Sequence, residues 1–267
     1  MDEQINPVII KLGGSVVTLK ENPFTPNTPA IKRVAKEILE ADLKSLVIVH
    51  GGGSYGHPVA KEYRIADGYK SHSQLIGFSK TRQAMMTLDK LVVDAFIQKG
   101  LPAVSVQPSA FILTRNGRIA EFNSAVIEKL LSLKVIPILY GDAVLDSSRG
   151  FAILSGDQIV SALALALGAK RIVICVDVDG LYTDDPKLNP RAELIKEITL
   201  NELRGILRNI GTAKTVDVTG GMYGKIVELI SALEKEVEVK IINAKKINRL
   251  YKALKNIEVT GTEIRKE

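Results

Sequence analysis

The 267-residue chain has no tryptophan, a single cysteine, three histidines and only 5% aromatic residues. One cysteine excludes an intrachain disulfide. Its place in the apolar run Ile172-Val173-Ile174-Cys175-Val176 marks a buried, inert thiol and a reducing compartment. The three histidines, His50, His57 and His72, are nowhere followed three or four residues on by another, so the pairing typical of a zinc enzyme is missing. No uninterrupted apolar stretch approaches the roughly 20 residues that span a bilayer. The opening Met1-Asp2-Glu3-Gln4 lacks the basic and apolar regions of a secretory leader. A cytoplasmic protein with no membrane partner is expected. Low-complexity linkers, internal repeats and breaks in composition are absent too, which points to one folded unit.

What is there is ordinary for a soluble globular protein: 46% hydrophobic and 25% charged residues. Lysine and arginine outnumber aspartate and glutamate by 36 to 30, a net charge of +6 that attracts anions in general. Lys245, Lys246, Arg249, Lys252 and Lys255 alternate with Ile247, Leu250, Tyr251 and Leu254. That spacing describes a helix with a solvated basic face and a buried stripe, so no nucleic-acid partner is expected.

Short apolar runs alternate with segments of helical period, the pattern of an α/β protein with a mostly parallel sheet. Strands are predicted at 8–12, 45–50, 103–106, 135–139, 171–176, 237–242 and 258–264. Helices are predicted at 29–41, 73–100, 124–131, 156–167 and 200–207, then up to 234 and over 245–255. Asn116-Gly117 signals one hairpin and Ser147-Ser148-Arg149-Gly150 a second, the first expected as an antiparallel addition to the sheet.

Glycine-rich turns follow the first two strands: Lys11-Leu12-Gly13-Gly14-Ser15 and His50-Gly51-Gly52-Gly53-Ser54-Tyr55-Gly56-His57. Glycine lets the backbone come close to a ligand and present its N–H groups, and such turns at the carboxyl edge of a parallel sheet favour phosphate. Two of them on adjacent strands suggest two phosphates, a donor and an acceptor. Neither turn fits the dinucleotide or P-loop spacing. Lys11, at the end of a strand that is otherwise apolar, needs an anion, either a structural carboxylate or a phosphoryl group. Lys225 has the same character, at a helix start just after Asp217-Val218-Thr219-Gly220-Gly221-Met222-Tyr223-Gly224. Two lysines converging from opposite ends of the chain would offset the charge of a transferring phosphoryl group.

These segments, together with Ser155-Gly156-Asp157-Gln158 and the loop from Asp177 through Asp179, Gly180, Tyr182, Asp184, Asp185 and Pro186 to Lys187, resemble the amino acid kinase superfamily in order and over nearly the whole chain. Within it, the stretches around Lys11–Lys20 and Gly51–Pro58 are most similar to the isopentenyl phosphate kinases. The resemblance implies a three-layer αβα sandwich with β-hairpin excursions, a homodimer, and direct in-line transfer of the ATP γ-phosphate to isopentenyl phosphate, a step of isoprenoid biosynthesis. It divides the single domain, 1–267, into an acceptor-binding lobe, 1–150, and a nucleotide-binding lobe, 151–267. It places Lys11, Gly13, Gly14 and Ser15 at the ATP phosphates, Gly52 and Gly53 between donor and acceptor, and His57 and Gly141 at the acceptor. Lys20 and Lys225 would stabilise the transferring group, Asp157 would position the lysines, and Asp177, Tyr182, Asp185, Pro186, Lys187 and Gly221 would surround the nucleotide.

Elementary chemistry is compatible with these roles. His57, on an early helical turn, can donate a charge-assisted hydrogen bond to a phosphate monoester, whose dianion favours the protonated ring. Phosphate is already a competent nucleophile, so no general base is required. The aspartates of the 177–187 loop fit turn and nucleotide contacts better than a metal cage, which leaves Mg²⁺ to arrive with ATP. On the long helix, Ile76, Phe78, Met85 and Met86 are candidates for an apolar wall beside the acceptor, or for plain core. A kinase for fosfomycin or N-acetylglutamate, and a catalytically silent nucleotide-binding regulator, are the competing readings.

Overall fold

The computed structural model describes residues 6–184, 186, 188–212 and 222–267. The chain opens with β1 (Val8–Leu12), α1 (Gly14–Val17), α2 (Thr28–Ala41), β2 (Leu46–His50), α3 (Gly53–Glu62) and the long α4 (His72–Ile97). β3 (Ala103–Ser105), β4 (Ile112–Arg115), β5 (Arg118–Phe122), α5 (Ala125–Ser132), β6 (Ile136–Tyr140), β7 (Asp142–Asp146) and β8 (Gly150–Leu154) follow. Then come α6 (Gly156–Ala166), β9 (Arg171–Val176), β10 (Leu181–Tyr182), β11 (Leu194–Ile195), β12 (Glu197–Thr199) and α7 (Leu200–Thr212). The last elements are α8 (Met222–Glu234), β13 (Glu238–Asn243), α9 (Arg249–Leu254) and β14 (Gly261–Arg265).

Eight strands form one sheet in the order β12-β14-β13-β9-β1-β2-β6-β3, parallel throughout except where β13 meets β14. Strands from both halves of the chain therefore share it, as expected. Because side chains of a strand alternate between faces, Ile9 enters one apolar core while Ile10 and Leu12 enter the other. The first core takes in α6, α7 and α8; the second takes in α2, α4 and α9. This is the αβα sandwich. The strand order turns back at β1, which pairs with β2 on one side and β9 on the other, and ligands of open α/β sheets bind outside the carboxyl ends of strands at such a switch point.

Two expectations change. The hairpins do not extend the central sheet, because β6 is already flanked by β2 and β3; they form a separate four-stranded sheet, β5-β4-β7-β8. The basic helix is shorter than 245–255, since Asn248 has a left-handed φ of 61° and α9 starts only at Arg249. The buried Glu37 of α2 caps it from outside, accepting from the backbone N–H groups of Asn248 and Tyr251 at 3.0 Å each.

Candidate functional site

The carboxyl ends of β1, β2, β6 and β9 are laced by backbone hydrogen bonds. Gly13 N–H donates to Cys175 O, Gly51 N–H to Leu12 O and Gly141 N–H to His50 O, at 2.8 to 3.0 Å. The two glycine turns interlock above them. A Cβ on Gly14 would lie 2.6 Å from Gly53 N, and Gly53 itself has φ +46°, so neither position tolerates a side chain. Thr18 seals the contact: its Oγ1 donates to Gly14 O and accepts from Ser54 N–H.

Proline in a helix explains where Lys20 sits. Pro58, inside α3, has no N–H to give to Ser54 O. Phe24 N–H donates there instead at 2.9 Å, and the Phe24 ring packs edge-on against Tyr55. The loop carrying Lys20 is thereby pinned to the helix carrying His57. Lys20 Nζ stands 3.9 Å from Asp177 Oδ2, and Ser15 Oγ donates to Asp177 Oδ1 at 2.9 Å.

Asp157 is the hub. Ser155, not Asp157, is the N-cap of α6, accepting from Gln158 N–H at 3.2 Å, which leaves the Asp157 carboxylate free to face two lysines. Lys11 Nζ lies 2.5 Å from Oδ1 and Lys225 Nζ 3.4 Å from Oδ2. The anion Lys11 requires is thus a carboxylate in the protein itself, yet one carboxylate between two ammonium groups leaves a positive charge uncompensated. Burial pushes the Lys11 pKa down to about 8, with Asp157 pulling it up and Lys225 pushing it down further. His57 feels the same field. Its pKa is lowered first by lost hydration and then by Lys225, Lys11 and Lys20, so the ring lies in the field of all three lysines. Gly141 abuts this hub: a Cβ on it would lie 3.1 Å from Gly156 N.

The proposed acceptor wall divides. Met85 is buried, its Sδ 3.1 Å from a Cβ placed on Gly52, and Phe78 stacks on Phe151 at 5.3 Å. Ile76 and Met86, about 80° or more round the helix from these, are 52% and 49% exposed. Gly52 stands between Met85 and the His57 ring. Tyr182 is half-buried in the β10–β11 ribbon, and Pro186 is half-buried as well. Asp179 accepts from Asn243 and pairs with Lys246 and Arg249. Asp184 accepts from Asn189. Asp185, Lys187 and Gly221 lie outside the described residues.

The sequence reading passed over His50 and Asp89. His50 is wholly buried at the end of β2, its Nε2 3.2 Å from Asp89 Oδ1 and its ring stacked on Tyr140. Its signal was position: the residue directly before the Gly51-Gly52-Gly53 turn. Asp89 gave none beyond a carboxylate on the inner face of α4.

The amino acid kinase family model matches residues 6–243. The isopentenyl phosphate kinase of Methanothermobacter thermautotrophicus is 44% identical over 269 aligned positions, covering 96% of this chain and 98% of that protein. The isopentenyl phosphate kinase of Methanocaldococcus jannaschii is 37% identical, covering 96% and 97%. A solved structure of an isopentenyl phosphate kinase superimposes with a TM-score of 0.85 at 40% identity, over 97% of this chain and 100% of that one.

Proposed function

The chain belongs to the amino acid kinase family, and from that premise we propose that it is an isopentenyl phosphate kinase, transferring the γ-phosphoryl group of ATP directly to the phosphate of isopentenyl phosphate. The observation that carries the proposal is the gathering of Lys11 and Lys225 on Asp157 and of Lys20 on Asp177, with His57 in the field of all three lysines, where two glycine turns meet. Two phosphate groups brought into contact repel. At an effective dielectric of about 20, a pair of unit charges about 4 Å apart interacts by about 4 kcal/mol, so several fixed cations are the right order of countercharge. A carboxylate acceptor would present less charge and need fewer.

In this reading ATP lies with its phosphates along Lys11, Gly13, Gly14 and Ser15 and its nucleoside toward Tyr182, Pro186 and the neighbouring 177–187 loop. The acceptor phosphate sits at Gly52, Gly53, His57 and Gly141. One of its oxygens attacks the γ-phosphorus in line while the bond to the ADP oxygen breaks; Lys11, Lys20 and Lys225 neutralise the equatorial oxygens in between. Asp157 holds Lys11 and Lys225 apart and aimed, and no proton need be removed. Mg²⁺ enters on the nucleotide. Among the described residues no group of three or more His, Cys, Asp or Glu could hold it alone.

An apolar tail is favoured by the apolar side chains around α3, where Met85 packs against Gly52 and Gly56. Ile65, Ala143 and Phe151 form a separate apolar cluster against which Ala60 and Tyr63 of the α3 end, and Phe78 of α4, pack. We assign the acceptor to the 1–150 part of the chain, the nucleotide to 151–267, and a homodimer as the assembly. Among the described residues no helix is long and apolar enough to cross a membrane. The test is ADP formation with MgATP and a panel of acceptors: isopentenyl phosphate, shorter phosphomonoesters, fosfomycin, N-acetylglutamate and glutamate. Isopentenyl phosphate should give the highest kcat/KM; turnover only on carboxylates or the phosphonate would overturn the reading, and ATP binding without turnover on any acceptor would replace it with a silent regulator.

A further inference from the structure

The β4–β5 hairpin belongs to the small sheet, far in sequence from Lys225, and the mechanism above gives it no task. Its turn is unusually well fixed. Asn116 and Gly117 have φ of 51° and 76°, the left-handed pair of a tight two-residue turn. The buried Asp146 carboxylate accepts from the backbone N–H groups of both, at 3.2 and 2.7 Å. From this turn two contacts cross to the other half of the chain. Gln158 Nε2, next in sequence to Asp157, donates to Gly117 O at 3.2 Å. Arg118 makes a two-pronged pair with Glu228, Nη1 to Oε1 at 2.5 Å and Nη2 to Oε2 at 2.7 Å. Glu228 lies on α8 three residues after Lys225, hence on the same side of that helix.

We propose that Arg118 and Glu228 are positioning residues: their fork holds α8 against the rigid hairpin so that Lys225 stays within reach of Asp157 and of the transferring phosphoryl group. The inference rests on the phosphoryl-transfer reading for the task it gives Lys225. As a source of stability the pair is minor, since the Arg118 side chain is 65% exposed and exposed ion pairs contribute little. As a geometric constraint it is specific. A guanidinium and a carboxylate meeting by two parallel bonds fix orientation as well as distance, which a lysine cannot do. A misplacement on the order of 1 Å at a reacting centre can cost up to about a hundredfold in rate.

The test is steady-state kinetics with MgATP and isopentenyl phosphate on wild type, Arg118→Ala, Arg118→Lys, Lys225→Ala and the Arg118→Ala/Lys225→Ala double variant. Thermal unfolding midpoints are recorded for each. Arg118→Ala should lower kcat roughly tenfold, with the acceptor KM within about twofold of wild type and the midpoint little changed. Arg118→Lys should recover only part of the loss. In the Lys225→Ala background the same change should cost nothing further, because an effect relayed through a side chain disappears with it. Equal losses in both backgrounds, or no loss in either, would overturn the proposal. Should Lys225→Ala be too slow to assay, the exchanged pair Arg118→Glu/Glu228→Arg decides: recovery of most of the kcat lost in Arg118→Glu supports the fork, and no recovery overturns it. A wild type inactive on every phosphomonoester would instead defeat the parent reading and leave the kinetic comparison without a reaction to report.

Discussion

Lys11 owes its behaviour to conflict: a strand position that demands burial, a carboxylate that holds its charge, and a second lysine that opposes it. Its pKa of about 8 in the ligand-free protein has a kinetic consequence. Protonated Lys11 is the useful form, so kcat/KM for ATP, which reports the free enzyme, should fall as pH rises through about 8. At saturating nucleotide the phosphate oxygens supply more negative charge, and the descending limb of kcat should move to higher pH. Superimposable limbs in the two profiles would show that Lys11 does not meet the nucleotide. His57 carries a parallel expectation. Three cations and lost hydration hold its pKa below the ordinary 6.5, so NMR titration should find it low in the free protein and raised once a phosphomonoester dianion is bound. His57→Ala should raise the acceptor KM and lower turnover by roughly ten- to a hundredfold, the scale of one charge-assisted hydrogen bond, while leaving the KM for ATP nearly unchanged. An equal loss of ATP affinity would place His57 on the donor side.

At the scale of elements, the small sheet is organised by one carboxylate. Asp146 accepts from Thr114 Oγ1 and from the backbone N–H groups of Asn116, Gly117, Ser148 and Arg149, joining the turns of both hairpins. Burial pulls its pKa upward, but these donors outweigh it and hold the carboxyl well below its usual 3.8. A carboxyl whose folded pKa is depressed stabilises the fold fully above the unfolded value and loses that contribution as pH falls below it. Asp146→Ala should therefore destabilise the protein by about 3 kcal/mol at neutral pH, since it leaves several buried donors unpaired, and the difference from wild type should shrink as acid titration proceeds below about pH 4. Chemical denaturation at pH 7 and pH 3 measures both; a variant as stable as wild type at pH 7 would show that the turns hold themselves. The turns themselves were legible, Asn116-Gly117 in particular, because turn chemistry is local. What they pair with was not. Whether a hairpin joins the central sheet or builds its own depends on which strand edges remain open, and β3, only three residues long, takes the edge beside β6.

For the molecule as a whole, the layered sandwich could be read from alternating apolar runs, since a strand buried on both faces has no room for polar residues. The Lys11 anomaly was visible for the same reason. Its partner Asp157, 146 residues away in sequence, came from the family resemblance, which gives it the lysines to position, and not from any local pattern. The inward face of α4 was only half legible, because nothing in Ile76, Phe78, Met85 and Met86 taken singly says which of them turn toward Gly52. Three lysines shared by Asp157 and Asp177 beside His57 and two glycine turns, with an apolar cluster packed against the end of α3, are the molecule's reason for acting on a phosphate that bears a hydrocarbon. The most direct measurement follows the phosphorus itself. ³¹P NMR of the purified chain with MgATP and isopentenyl phosphate should show the monophosphate singlet replaced by the coupled pair of resonances of a diphosphate ester, in step with ADP. An unchanged monophosphate singlet, with ATP either intact or hydrolysed only to inorganic phosphate, would contradict the account.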